Sequence, residues 1–450
     1  MIRAKYVPAV LVAALFVPLL AFGQGRNSEV ALDITKSAFV KTDVLMSELD
    51  VLSGGVESAD AAVMMNDIVA NDLRLSGLFR VGFSEENPDS LEYEFTIEGT
   101  VEGPLRDAAQ TGENAPITIS LNLLSYPQRQ LLMNKRYRPL PSQMRATAHH
   151  FANEVIYWLS GEPGMCLSRI VFSRGAGDRR DLYVVDYDGA GLLRLTANRE
   201  LNLCPSWSPD GSEIAFTSYR DGQQALFSLN TANGKVRHVI GMEGLNYGAN
   251  WHPSGEELGL ALSQSGSPEI YRITPLGKII KRLTVSKAIE ISPSWSPGGW
   301  DLVFTSDRTG TPQLYVIDSE GAGRRRLTFE GRYNDSAAWS PGGDKIVYAT
   351  RVGNYTQIVI MKSTGEDRRV LTDSQWRNSE DPSWAPDGRH IVFASDRTGT
   401  FKLYVYDVVE DTFRQLTFGT DPDITPALSL IHISEPTRPP IPSRMPSSAR

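Results

Sequence analysis

The sequence predicts a mainly β protein: a ring of repeated four-stranded units, preceded by a small α/β domain. Three observations predict it. A tryptophan followed by a proline turn recurs at Trp207, Trp251, Trp295, Trp339 and Trp384, at intervals of 44, 44, 44 and 45 residues. An apolar run follows each tryptophan at the same phase. A stretch of mixed helix and strand pattern precedes the first repeat. A constant period of this length means one supersecondary unit stacked on itself.

The unit reads as follows. The tryptophan strand ends in a turn such as Ser208-Pro209-Asp210-Gly211. Then come Ile214–Ser218, Leu258–Ser263, Leu302–Ser306, Ile346–Thr350 and Ile391–Ser395, apolar and β-branched, as strands buried on both faces read. Turns such as Asp307-Arg308-Thr309-Gly310 lead to a third strand, Gln313–Asp318 or Lys402–Asp407. A short fourth strand, Arg326–Thr328 or Gln415–Thr417, ends the unit. Four strands per repeat make a β-propeller blade.

The second-strand pattern also occurs before the first tryptophan, at Ile170–Ser173. That makes six blades, the first of which lacks its innermost strand. The C-terminal Asp423–Ala427 has the lead-in for that strand, so the two chain ends share a blade and remove the open edges of an unclosed repeat. A sixth tryptophan is due at position 428, where Leu428 stands. Residues 428–450 are rich in Pro, Ser and Arg and carry no blade signal; the run from Leu428 to Arg438 resembles a translated sequencing-library adapter. The reading is therefore a propeller over residues 163–427 with a truncated closing strand and an artefactual tail over 428–450. The tryptophans read as structural residues packed between blades, and alternatively as stacking platforms for sugars.

Arg3 and Lys5 precede an apolar stretch, Val7–Phe22, and Ala21 and Gly23 provide small residues at a cleavable spacing. Residues 1–23 read as a signal peptide, too short and proline-interrupted for a membrane span. Residues 24–162 form the α/β domain: a helix over Ala59–Ser76 capped by Ser58, strands at Leu91–Val101, Ile117–Leu124 and Gln130–Tyr137, and a helix over Gln143–Ser160 capped by Ser142.

The formal charge of −8 and the lack of a basic cluster argue against nucleic acid as a partner. There is no Gly-x-Ser-x-Gly elbow and no His-Glu-x-x-His or Cys/His cluster, so no catalytic residue, metal or cofactor is assigned. His149 and His150 are neighbours on a helix, about 100° apart around it, which suits structural roles better than joint ligation. Cys166 and Cys204 could pair in an oxidising compartment, but repeat phase places them at opposite ends of ring strands about 17 Å long, beyond the roughly 7 Å a bridge spans. The path of the linker leaves the pairing open.

Two binding regions are expected. The residues five before each tryptophan position, Asn202, Asn246, Glu290, Asn334, Ser379 and Asp423, start the strands nearest the axis and are all polar. They mark one mouth of the channel as a partner site, or else they are ordinary loop residues. The segment Glu29–Lys36 alternates Val30, Leu32 and Ile34 with polar or small residues, so Glu29, Val30, Leu32, Asp33 and Ile34 could add a strand to another sheet, or belong to their own domain.

Several segments of the N-terminal domain are specific: Asn66-Asp67-Ile68-Val69 leading to Asp72-Leu73 and Ser76-Gly77-Leu78-Phe79; Arg136-Tyr137; Ala148-His149; and Leu159-Ser160-Gly161-Glu162 before Arg169-Ile170. With the repeats, they resemble the TolB family, periplasmic propeller proteins of the Tol-Pal cell-envelope system. The resemblance covers residues 1–427. It departs at the closing strand and at His252 and Ser254, where the turn usually reads Ser-Pro-Asp-Gly. It implies a non-enzymatic periplasmic interaction protein without a cofactor. The implied partners are a Pal-like peptidoglycan-associated lipoprotein at the propeller and a TolA-like inner-membrane protein at the N-terminal segment, in support of outer-membrane integrity and cell division. The alternative is the propeller of a peptidase or glycan-binding protein whose C-terminal part is missing.

Overall fold

The computed structural model describes residues 40–83, 93–103 and 115–429. The expected signal peptide, the Glu29–Lys36 segment and the tail beyond Ser429 lie outside the described residues.

The N-terminal domain is a sheet covered by two helices. Its elements are β1 (Thr42–Met46), β2 (Asp50–Ser53), α1 (Gly55–Leu75), β3 (Phe79–Phe83), β4 (Phe95–Glu102), β5 (Thr118–Ser125), β6 (Leu131–Tyr137) and α2 (Met144–Ser160). The sheet order is β3-β1-β4-β5-β6, with β2 beside β4. β1 runs parallel to β3 and β4, because α1 carries the chain back over the sheet before β3 is laid down. Met65, Val69 and Leu73 of α1 and Phe151, Val155 and Leu159 of α2 are buried at helical spacing.

Neither helix starts on its expected cap. The residue at the α1 N-cap is Gly54, whose φ of 102° and close approach to Gly103 only glycine accommodates; Ser58 is buried inside the first turn. A short 3-10 turn, Pro141–Gln143, precedes α2, and Gln143 reaches back to accept from the Leu140 amide at 3.0 Å, leaving Ser142 no capping role. Both helices end on glycines with positive φ, Gly77 and Gly161.

Six four-stranded antiparallel sheets follow, one per blade. Five are continuous in sequence and are named here by their tryptophan. The sixth, the shared blade, joins β7 (Arg169–Arg174), β8 (Asp181–Asp186) and β9 (Leu193–Arg194) to a closing strand, Asp423–Leu428. Its register pairs Asp423 with Arg174 and Leu428 with Ile170.

This corrects the expected truncation. The closing strand is six residues long, like the first strand of every other blade, and includes Leu428. Leu428 is buried in the tryptophan's place, its amide donating to Ser383 Oγ at 3.2 Å. Ser429 is also built in, its amide donating to the Arg169 carbonyl at 2.9 Å. Any apolar side chain of sufficient size fills the wedge, so the strand does not need tryptophan to form.

The tryptophans lie between blades. Trp251 packs with Ala215 and Leu226 of the preceding blade, and Trp207 Nε1 donates to the Ala427 carbonyl of the closing strand at 3.1 Å. A Cβ on Gly259 would sit 3.2 Å from Trp295 Nε1, so glycine there makes room for the neighbouring indole. Trp251, Trp295 and Trp384 are buried and Trp207 and Trp339 half-buried, and all five border one cavity of about 410 Å³ together with Leu428.

Candidate functional site

Each first strand carries the same irregularity. Its pairing with the second strand slips after the second residue. The residue three before the tryptophan position takes a positive φ in all six blades: Cys204 (48°), Gly248 (66°), Ser292 (54°), Ser336 (53°), Asp381 (52°) and Thr425 (50°). Five of these are not glycine, so a strained conformation is held in place by the ladders on either side. These six bulges ring a small axial cavity of about 170 Å³, which Tyr247 also lines.

The six residues expected at the mouth start these strands, but all are fully buried. They are pins, not a contact surface. Asn202 donates to the Arg180 and Glu200 carbonyls at 2.6 and 3.0 Å and accepts from Ser218 Oγ at 2.8 Å. Asn246 donates to the Gln224, Met242 and Gly244 carbonyls. Asn334 donates to the Glu330 carbonyl and Gln313 Oε1. Ser379 donates to Ser395 Oγ at 3.3 Å, and Glu290 is held by Arg308. Asp423 takes both arms of Arg174, at 2.6 and 2.9 Å, and Lys402 at 3.2 Å. A polar side chain at this corner satisfies loop carbonyls that would otherwise be buried unpaired. Their common polarity is explained by that role, and it removes them as a docking surface.

The loops on this face expose apolar side chains among charged ones such as Lys287, Glu330, Arg332 and Asp421. Val285, Phe329 and Phe418 follow the Leu-Thr that closes a blade and are 74%, 73% and 69% exposed. Ile289 and Tyr333 stand beside them in the same loops and are exposed as well. Sequence reasoning missed this rim. Its signal was an apolar residue just after Leu-Thr, where a connecting loop should be polar.

Inside the mouth the charge is one-sided. Asp335, Glu380 and Asp381 belong to the Trp339 and Trp384 blades, and none forms an ion pair among the described residues. Burial, then the neighbouring carboxylates, push Glu380 up to about 7. Burial and Asp335 push Asp381 up to about 6, against a hydrogen bond from Ser336 Oγ at 3.2 Å. Burial and the same carboxylates push the Cys204 thiol up to about 12, which leaves it unreactive. Cys166 and Cys204 are both free thiols.

The N-terminal domain sits at the opposite end of the ring. One hydrophobic core runs through both, from Phe79 and Phe151 to Tyr187, Val392 and Leu403. Arg389 donates to the Gly77 carbonyl at 3.1 Å while paired with Asp407, and Arg145 reaches Asp186 at 3.2 Å and also Asp188. Beside this junction lies a cleft of about 950 Å³, lined by Leu78, Ile156, Pro163, Pro341 and Val409 among others. The first described residues border it: Lys41 pairs with Glu410 at 2.7 Å.

Among the described residues, one group has metal-ligating types close together: Asp72, His149 and Asp188. Asp72 is bonded to His149 and Tyr187, and Asp188 to Arg145 and the Ala190 amide, while His149 Nε2 is buried without a hydrogen-bond partner. His149 is thus bonded into the domain junction, whereas His150 is half-buried, 3.8 Å from Glu154.

The model of the TolB β-propeller domain matches residues 157–381, half of the chain. The chain belongs to the TolB family. A TolB homolog of Chlorobium chlorochromatii is 39% identical over 123 residues, 27% of this chain and 28% of the relative. The Tol-Pal system protein TolB of Legionella pneumophila is 30% identical over 214 residues, 46% of this chain and 50% of the relative. These alignments thus span half or less of the length of the curated TolB relatives. The crystal structure of TolB from Acinetobacter baumannii shares the fold, with a TM-score of 0.73 at 23% identity, covering 89% of this chain and 99% of that one. No helix among the described residues is long and apolar enough to cross a membrane.

Proposed function

We propose that this chain is a non-enzymatic periplasmic interaction protein of the Tol-Pal system, with separate sites for two partners. A Pal-like peptidoglycan-associated lipoprotein docks on the propeller mouth. A TolA-like inner-membrane protein takes the N-terminal segment around Glu29–Ile34. Together these contacts support outer-membrane integrity and cell division. The observation that carries this reading is a set of exposed apolar side chains, Val285, Ile289, Phe329, Tyr333 and Phe418, in the loops that join blades on the face opposite the N-terminal domain. Exposed aromatic and aliphatic side chains on one face are what a protein partner buries.

The interdomain cleft gives the N-terminal segment a second place to lie. It opens beside Lys41, where that segment joins the domain. A segment docked there in one state and free in another would couple the two partners.

Calorimetric titration of Pal into the mature protein tests the mouth. Phe329→Ala with Phe418→Ala should weaken binding at least tenfold with the fold intact; unchanged affinity would refute the site. Deleting residues 24–33 should abolish TolA binding and spare a direct Pal contact at the mouth. Retention of TolA binding would remove the segment from the account.

A further inference from the structure

The mouth of the ring is not evenly built: one blade raises a hairpin over it. In five blades the pairing of the second and third strands stops at the corner, at Arg174 with Asp181, Ser218 with Ala225, Leu262 with Glu269, Ser306 with Gln313 and Ser395 with Lys402. The chain between them is a loop. In the Trp339 blade the ladder goes on from Thr350 with Gln357 to Arg351 with Thr356 and Val352 with Tyr355. Gly353 and Asn354 close it as a two-residue turn, Gly353 at a φ of 62°. Two further rungs carry the hairpin about 7 Å past the corner.

The sequence accounts for the difference. In the Trp295 and Trp384 blades the loop opens on an aspartate whose Oδ1 accepts from the amide of the chain entering the blade. Asp307 takes the Ile289 amide at 2.8 Å, and Asp396 takes the Asn378 amide at 2.8 Å. Arg351 stands at that position in the Trp339 blade, and a guanidinium has no acceptor to offer.

Bonds fasten the hairpin to the loops on both sides. The Arg351 amide donates to the Tyr333 carbonyl at 2.9 Å, in the loop from the Trp295 blade. The Thr356 amide donates to Asn378 Oδ1 at 3.2 Å and Gln357 Nε2 to the Arg377 carbonyl at 2.9 Å, in the loop to the Trp384 blade. The three segments therefore form one wall on one side of the mouth. Val352 at its tip is half exposed, and Tyr333 and Phe329 of the adjoining loop are exposed too. Each segment also carries an exposed arginine: Arg332, Arg351 and Arg377. None of these three is in an ion pair among the described residues. Two acids of the same loops are engaged elsewhere, Glu330 with Arg368 at 3.2 Å and Asp373 with the Gln375 amide at 2.9 Å. Asp335, Glu380 and Asp381 are set back and half-buried, and Asp335 accepts from the Tyr333 hydroxyl at 3.1 Å.

Arginine and aromatic side chains on a backbone-bonded support have the composition of an interface centre. Three guanidinium groups without carboxylates call for acidic side chains from outside, which each can take with two parallel bonds. We propose that the Pal-like partner docks off-axis, against this wall of the Trp339 blade, and presents acidic side chains to Arg332, Arg351 and Arg377. The inference rests on the mouth being the Pal site and adds to it the blade, the residues and the charge of the partner's surface. Val352 and Tyr333 are covered in the same contact.

The test is calorimetric titration of Pal into the full mature chain at about 50 and about 300 mM salt, where charge contacts are screened to different degrees. Arg332→Glu with Arg351→Glu should weaken binding at least about tenfold at the lower salt and flatten its salt dependence. Lys235→Glu with Lys278→Glu makes the same change of net charge at exposed positions between third and fourth strands, at the other end of the ring. It should change affinity less than about twofold. Val352→Ser should weaken binding about threefold or more at both salts. Full affinity in Arg332→Glu with Arg351→Glu overturns the proposal, and so do equal losses from the two charge reversals. If Phe329→Ala with Phe418→Ala weakens binding while the arginine variants do not, the mouth stands as the Pal site and the wall is removed from it. A wild-type chain that binds no Pal removes the mouth reading itself, and this inference with it.

Discussion

The shared blade and the five continuous blades have the same strands and are held differently. At the corner where each first strand starts, three continuous blades use a neutral asparagine, Asn202, Asn246 and Asn334, bonded to nearby loop carbonyls. The shared blade uses Asp423, clamped by Arg174 and Lys402. Where the others insert a tryptophan, it inserts Leu428. A continuous blade forms its first-to-second strand pairing across a short turn. The shared blade must join residues about 250 positions apart, a much larger loop to close. The continuous Trp295 blade also has a charged pair at this corner, Glu290 with Arg308; what sets the shared blade apart is a second cation, Lys402, on the same carboxylate.

The comparison is broken most severely at the clamp. Asp423→Ala leaves two cations facing a buried corner and should destabilise the fold by about 3–5 kcal/mol in urea unfolding. Asn202→Ala leaves neutral carbonyls unpaired and should cost only about 1–3 kcal/mol. Equal costs would mean that the shared blade has no special dependence on charge.

A pH effect of intermediate size should come from the Trp384 blade. Glu380 and Asp381 have folded-state values raised to about 7 and about 6, so the folded state binds their protons more tightly than the unfolded chain does. Their contribution to stability is fully present near pH 4 and is lost as pH rises through 6 and 7. Glu380→Gln with Asp381→Asn should therefore stabilise the protein at pH 8 by about 1–2 kcal/mol, with no gain at pH 4. A gain independent of pH would point to packing instead.

Leu428→Trp would restore the wedge of the other blades. It should stabilise the shared blade by about 1 kcal/mol through added apolar burial, read as a higher urea midpoint at unchanged slope. Smallest is His252→Ser, which restores the usual turn. It removes an edge contact to Trp295 at 4.6 Å and a bond to the Gly299 carbonyl at 3.2 Å, for a loss below about 1 kcal/mol.

The ring was legible in the sequence because its period is a core pattern. Trp207 to Trp384, the buried second strands and the turns between them repeat for packing reasons, and packing leaves a periodic trace. The strand shared by the chain ends followed from counting. Its end was misread at Leu428, because the pattern was matched by residue type when the site requires only a large apolar side chain. The site was harder to read. Polarity at Asn246 or Asp423 looks the same whether the side chain meets solvent or a loop carbonyl, and only burial distinguishes the two. The rim residues Val285, Phe329 and Phe418 recur in only three blades, so no period announced them. Asp72 and His149 are 77 residues apart, and nothing local to either predicts their 2.6 Å contact.

The most direct test of the closure is amide hydrogen exchange in Asp423→Asn against the wild type. The account predicts that protection falls first in Arg169–Arg174 and Asp423–Leu428, while Asp301–Ser306 of the Trp295 blade keeps its wild-type rates. Uniform loss around the ring, or earlier loss in the Trp295 blade, would contradict it.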